Sequence, residues 1–185
     1  MLSKIKPKVG ELLKPLTEKI SSIGIKPNHI TALACIFGFF SAYLIVNGEI
    51  TIALVFLILS GFFDALDGAL ARNERLKTDF GGFLDSVLDR YVDASVILAA
   101  GIYSGHLLLS AIAVVGALLV SYTRARAENI IERCDVGIAE RGERTVILIM
   151  GLLFNYVFHA LVIIAVLSHI TAVHRIVYTY IQTKK

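Results

Sequence analysis

The chain has 185 residues, the size of one domain, and 56% of it is hydrophobic against 18% charged. That balance excludes a soluble globular core and marks an integral membrane protein, for which the helices read below make the expected fold class all-α. The formal net charge is +3, and no nucleic-acid partner is expected.

Residues 1–26 read as a cytoplasmic juxtamembrane segment. Over 8–22, Val9, Leu12, Leu13, Leu16 and Ile20 alternate with Lys8, Lys14 and Lys19. This is the pattern of a basic amphipathic helix lying on a membrane surface, where anionic lipid attracts it. It lacks the apolar core and cleavage site of a secretory signal, so it is expected to stay attached. Gly24 and Pro27 separate it from the first membrane helix, for which Asn28 is a good N-cap.

Residues 27–185 read as one six-helix membrane domain. Asp, Glu, Lys and Arg are absent between Lys26 and Glu49, between Asp93 and Arg124, and between Arg144 and Arg175. The last two spans are thirty residues each, longer than the roughly 20 that cross a bilayer. Turns are expected within them at Tyr103-Ser104-Gly105-His106 and Asn155-Tyr156. Six transmembrane helices follow, at about 28–47, 51–72, 80–103, 107–132, 143–156 and 159–180. Lys4, Lys6, Lys8, Lys14, Lys19 and Lys26 precede the first helix. Arg72, Arg75 and Lys77 join the second and third, Arg124, Arg126, Arg133, Arg141 and Arg144 join the fourth and fifth, and Arg175, Lys184 and Lys185 close the chain. The other connections carry only Glu49 and histidines. A multi-pass protein of the cell membrane with both termini cytoplasmic is the expectation. Cys35 and Cys134 fall in different environments and make neither a disulfide nor a metal pair.

The stretch Asp64-x2-Asp67-Gly68-x2-Ala71-Arg72-x8-Gly81-x3-Asp85-x3-Asp89 sets four carboxylates at the cytoplasmic ends of the second and third helices. Ionised groups beside hydrocarbon need a partner. Positions 64, 67, 68, 71 and 72 share one side of a helix, and 81, 85 and 89 climb one side of the next in steps of about 6 Å. Facing helices would converge these acids on a metal site, with Gly68, Ala71 and Gly81 leaving room beside it. Oxygen donors without Cys or His suit a hard cation such as Mg²⁺, Mn²⁺ or Ca²⁺, with Mg²⁺ the default and Mn²⁺ the alternative, and Mg²⁺ sites of this kind commonly take substrate phosphates too. The plainer reading pairs the acids with Arg72, Arg75, Lys77 and Arg90. Single ion pairs would not require four acids on two faces with small residues between them.

Every fixed position of this stretch resembles the signature of the CDP-alcohol phosphatidyltransferases. The resemblance implies Asp64, Asp67 and Asp85 as metal ligands, and Asp89 as the base that deprotonates the acceptor hydroxyl and as a further ligand. It implies that Asp67, Gly68, Ala71, Arg72 and Gly81 shape the pocket for a CDP-linked lipid. Pro27-Asn28-His29-Ile30-Thr31 looks like the family's P-N-x-I-T opening, which adds Asn28 and Thr31. A homodimer is likewise implied. Asp93 continues the four-residue step and reads as structural.

Arginines at helix ends, with their forked donors, suit a phosphate monoester. Ser121-Tyr122-Thr123-Arg124-Ala125-Arg126-Ala127-Glu128 and Glu140-Arg141-Gly142-Glu143-Arg144 resemble strings of the family's inositol-phosphate branch, with Gly142 where many relatives carry proline. Arg175 in Thr171-Ala172-Val173-His174-Arg175 resembles a third. Arg124, Arg144 and Arg175 are therefore expected on the phosphate of a phosphorylated polyol acceptor. Transfer to inositol 1-phosphate with release of CMP is the resulting expectation, and glycerol 3-phosphate is the alternative acceptor. From a different class, a cation or proton transporter would line a path with acids. Here the acids gather at one end of two helices.

Overall fold

A computed structural model of the chain describes residues 10–184. Lys4, Lys6, Lys8 and Val9 of the amino-terminal segment, and Lys185, lie outside the described residues. Among the described residues the protein is helical without strands: α1 (Lys14–Ser22), α2 (Pro27–Val46), α3 (Ile50–Asn73), α4 (Asp79–Ser104), α5 (Leu107–Ala127), α6 (Arg141–Leu153) and α7 (Val157–Gln182). Helices α2, α3, α5 and α7 are long and apolar enough to cross a membrane. Helix α4 carries the acids of the motif, and α6 has only 13 residues. Four helices match their expected bounds within two residues; α5 stops five residues early, and α6 starts two and ends three residues early. The chain forms two compact units, one up to Val92 and one from Asp93.

In the first unit, α2 and α3 make an antiparallel hairpin. Ser41 Oγ donates to the Ala53 carbonyl and Ser60 Oγ to the Ala34 carbonyl, both at 2.8 Å, so residues advancing along α2 meet residues receding along α3. Both serines are buried, where a bond to a neighbouring backbone satisfies the hydroxyl. Gly38 lies so close to the Val92 side chain that a Cβ there would overlap it. Small residues let membrane helices approach in this way.

Asn28, expected as the N-cap of α2, lies inside its first turn, and Lys26 is the cap. Proline suits the first helical position because its missing N–H would be unsatisfied there anyway. Pro27 takes that position and moves the cap back by two residues. The Asn28 side chain is left to face Gly81.

Helix α1 is tied to the end of α3. Asn73 Nδ2 donates to the Gly10 carbonyl at 3.0 Å and to Thr17 Oγ1 at 3.2 Å, and the Thr17 hydroxyl in turn donates to Lys14 O and Glu74 Oε1. Leu13, Ile20, Ile25 and Phe63 pack on a core of Ile30, Leu66 and Leu70. Part of the apolar face expected on lipid is therefore covered by protein, while Leu12 and Ile23 stay exposed.

In the second unit the two turns fall where the charge-free spans place them. Gly105 (φ +74°) lets His106 N–H reach the Gly101 carbonyl at 2.8 Å, and Asn155 (φ +59°) lets Tyr156 N–H reach the Gly151 carbonyl at 2.7 Å. Helix α5 packs along α7, with His169 Nε2 3.2 Å from the Ile112 carbonyl. Beyond Ala127 the N–H groups of Glu128, Asn129, Ile130 and Ile131 still bond to the preceding turn, and from Val136 on the chain is bound sideways to α7. The Ile138 and Ala139 N–H groups both donate to Thr171 Oγ1, at 3.3 and 3.2 Å, and Arg175 Nε donates to the Val136 carbonyl at 2.8 Å.

Candidate functional site

In the first unit, one turn of α3 and two turns of α4 bring carboxylates together. Oxygens of Asp64, Asp85 and Asp89 all lie within 4.8 Å of one another, and each residue is partly buried. This is the range of oxygens on opposite sides of a cation with metal–oxygen bonds of about 2.1–2.4 Å. Three carboxylates so close repel unless positive charge joins them. Asp67 stands outside the triplet but beside it, with Asp64, Asp85 and the Thr31 side chain as neighbours. It is buried, and its Oδ2 has no hydrogen-bond partner. A buried acceptor without a donor is unfavourable, and a hard cation would satisfy it. The donor set therefore fits a divalent metal.

The other residues expected around the donor lie along the same two helix ends and the start of α2. A Cβ on Gly81 would meet Thr78 Oγ1 at 2.8 Å and Asn28 Oδ1 at 2.9 Å, so this glycine lets the start of α4 sit against the Asn28 amide. A Cβ on Gly68 would meet Arg72 Nη1 at 3.1 Å, so the guanidinium lies over that position. Arg72 is exposed and Ala71 half-buried. Thr31 is buried and donates to the Pro27 carbonyl at 3.1 Å.

The second unit holds an arginine cluster around residues 128–140. Arg124 splits its three nitrogens among three acids: Nε to Glu128 at 2.9 Å, Nη2 to Asp135 at 2.7 Å and Nη1 to Glu140 at 3.3 Å. Arg133 also pairs with Asp135, at 2.9 Å. Arg175 is 2% exposed; besides Val136 it reaches the Val120 carbonyl through Nη1, and its Nη2 is 3.7 Å from Glu140 Oε1. Arg144, also 2% exposed, is held by the Asp93 carboxylate and the Ala139 carbonyl, and only its Nε has no acceptor.

A family model for the CDP-alcohol phosphatidyltransferases matches residues 25–178. The chain belongs to that family. Among curated relatives it is similar to archaetidylinositol phosphate synthase of Pyrococcus horikoshii, 39% identical over 95% of each chain. The same-named protein of Methanothermobacter thermautotrophicus is 35% identical, covering 100% of this chain and 96% of its own. The fold is similar to a crystal structure of Mycobacterium tuberculosis phosphatidylinositol phosphate synthase with CDP-DAG bound, with a TM-score of 0.82 and 27% identity over 92% of this chain and 94% of that one. It is also similar to the structure of that protein in complex with manganese and citrate, with a TM-score of 0.82 and 26% identity over 90% and 88% of the two chains.

Against this family frame, residues outside the signature carry much of the second unit. Thr171 and Gly137 dock the 136–140 segment, and Glu140 bridges two arginines. The four-residue step from Thr171 to Arg175 is the one sequence signal that could have placed the docking on a single face of α7.

Proposed function

We propose that this phosphatidyltransferase moves a phosphatidyl or archaetidyl group from a CDP-linked lipid to the hydroxyl of inositol 1-phosphate and releases CMP. The observation that carries the reaction is the convergence of Asp64, Asp85 and Asp89 beside the buried, unsatisfied oxygen of Asp67. The names of the relatives support the acceptor. Asp64, Asp67, Asp85 and Asp89 hold the divalent ion, Mg²⁺ or Mn²⁺, which when bound neutralises the donor diphosphate and polarises the phosphorus.

The chain's own groups do the rest. Arg72 forks onto phosphate oxygens. Asn28, Thr31, Gly68, Ala71 and Gly81 shape the nucleotide pocket, where the glycines allow close approach. Asp89 accepts the proton of the acceptor hydroxyl as the bond to phosphorus forms, and CMP carries away the electron pair of the broken bond. Arg124 and Arg175 receive the acceptor's phosphate, whereas Arg144, expected beside them, is engaged by Asp93 and the Ala139 carbonyl and holds the segment that carries Glu140.

The membrane arrangement belongs to the same proposal: six membrane helices, α2 to α7, with α1 along the cytoplasmic surface. Both termini and the site face the cytoplasm of the cell, as the basic connections support. The functional molecule is a homodimer. Residues 27–185 act as one catalytic domain, with 1–26 as its surface anchor.

The test is CMP release by the purified enzyme given CDP-lipid, a divalent metal and one acceptor at a time. Release on adding inositol 1-phosphate, abolished by a chelator, is the expected result. Release with glycerol 3-phosphate alone would replace the acceptor. Ion flux in vesicles without any CMP would overturn the enzyme.

A further inference from the structure

The ion-paired arginines of this cluster are already matched by carboxylates. Arg124, Arg133 and Arg175 face Glu128, Asp135 and Glu140, so within this cluster of described residues three cations stand against three anions. A phosphate dianion that simply joined them would leave the cluster negative. One carboxylate must give way.

The distances single out Glu140. Glu128 and Asp135 hold Arg124 at 2.9 and 2.7 Å, ordinary lengths for charge-assisted bonds. Glu140 stands at 3.3 Å from Arg124 and 3.7 Å from Arg175, and a single oxygen, Oε1, makes both contacts. One oxygen loosely shared by two guanidinium groups occupies the position that a phosphate oxygen would take. Glu140 is also the N-cap residue of α6, yet its side chain makes no capping bond that would anchor it there. Arg175 cannot turn away to meet a ligand elsewhere, because its Nε and Nη1 are spent on the Val136 and Val120 carbonyls. Its Nη2, on the Glu140 side, is the nitrogen left over.

We propose that Glu140 is a resident counter-anion that the acceptor's phosphate replaces, and that it selects phosphorylated acceptors over free polyols. This rests on the reading that Arg124 and Arg175 take the acceptor phosphate. A neutral polyol brings no charge to exchange and leaves the Glu140 contacts in place. A dianion displaces one negative charge with two and gains from the difference.

The experiment measures inorganic phosphate as an inhibitor of CMP release by the full-length enzyme, against the acceptor and against CDP-lipid. In the wild type, phosphate competes with the acceptor. In Glu140→Gln the competing anion is gone, and the inhibition constant of phosphate and the KM of the acceptor both fall about fivefold, the effect of one partly exposed ion pair of ~1 kcal/mol. The KM of CDP-lipid stays where it was. An unchanged or raised phosphate constant in Glu140→Gln, with competition intact in the wild type, overturns the role of Glu140 alone. Failure of phosphate to compete in the wild type removes the acceptor reading and this inference with it. Should Glu140→Gln not fold, a structure of the wild type with inorganic phosphate decides. Glu140 Oε1 withdrawn from Arg124 and Arg175 supports the exchange, and phosphate bound to Arg124 beside an unmoved Glu140 overturns it.

Discussion

Arg144 and Asp93 form a buried ion pair within the second unit, with side chains 2% and 10% exposed. The same guanidinium holds the Ala139 carbonyl, so one side chain links α4, α6 and the segment preceding α6. Arg144→Ala would strand the Asp93 carboxylate, which typically costs about 3–5 kcal/mol. The expected outcome is a large fall in unfolding midpoint in detergent, partly recovered when Asp93→Asn is added. A raised acceptor KM at unchanged stability would show instead that Arg144 touches the acceptor.

The carboxylate centre makes metal and stability separable. Asp64→Ala and Asp85→Ala are expected to abolish CMP release and the thermal stabilisation produced by added Mg²⁺ or Mn²⁺, which arises because the ion binds the folded state. Asp67→Asn is expected to lose activity too. In metal-free buffer, however, it should be at least as stable as the wild type, because an amide places less unbalanced charge in that buried site. Differential scanning fluorimetry with and without metal distinguishes the two behaviours.

Asp89→Asn keeps the shape of the side chain and removes its basicity. Turnover is expected to fall by about 10²-fold or more, the usual contribution of a positioned base. CDP-lipid binding, measured by calorimetry, should persist. A normal rate would take Asp89 out of proton transfer.

Gly137 sits at φ +120°, and a Cβ on it would overlap the Thr171 methyl group. Gly137→Ala combines a backbone conformation that L residues rarely adopt with that overlap, at a cost of about 1–3 kcal/mol. The 136–140 segment should then lift from α7, raising the acceptor KM more than the CDP-lipid KM. Thr171→Val removes the common acceptor of the Ile138 and Ala139 N–H groups and should act in the same direction.

Asn73→Ala cuts the bonds that tie Gly10 and Thr17 to the end of α3. Faster amide exchange over residues 10–22 is expected, with the exchange of α2 and α3 little changed.

Much about this protein was local and therefore legible from one chain. Charge-free runs marked where long apolar helices lie, and the two turns inside them fell at Gly105 and Asn155 as their residue types allow. The four-residue step of Gly81, Asp85 and Asp89 put three positions on one face of α4, because helix periodicity is a property of the backbone alone. What required the tertiary structure was the choice among partners distant in sequence. Asp64 joins Asp85 and Asp89 while Asp67 remains beside them in a buried place of its own. Arg124, Arg144 and Arg175 look alike as a set of basic residues, yet one shares three acids near the surface, one is sealed against Asp93, and one holds backbone carbonyls. Periodicity says which way a side chain points; which group it meets depends on where other helices lie, and that is decided only when the chain packs.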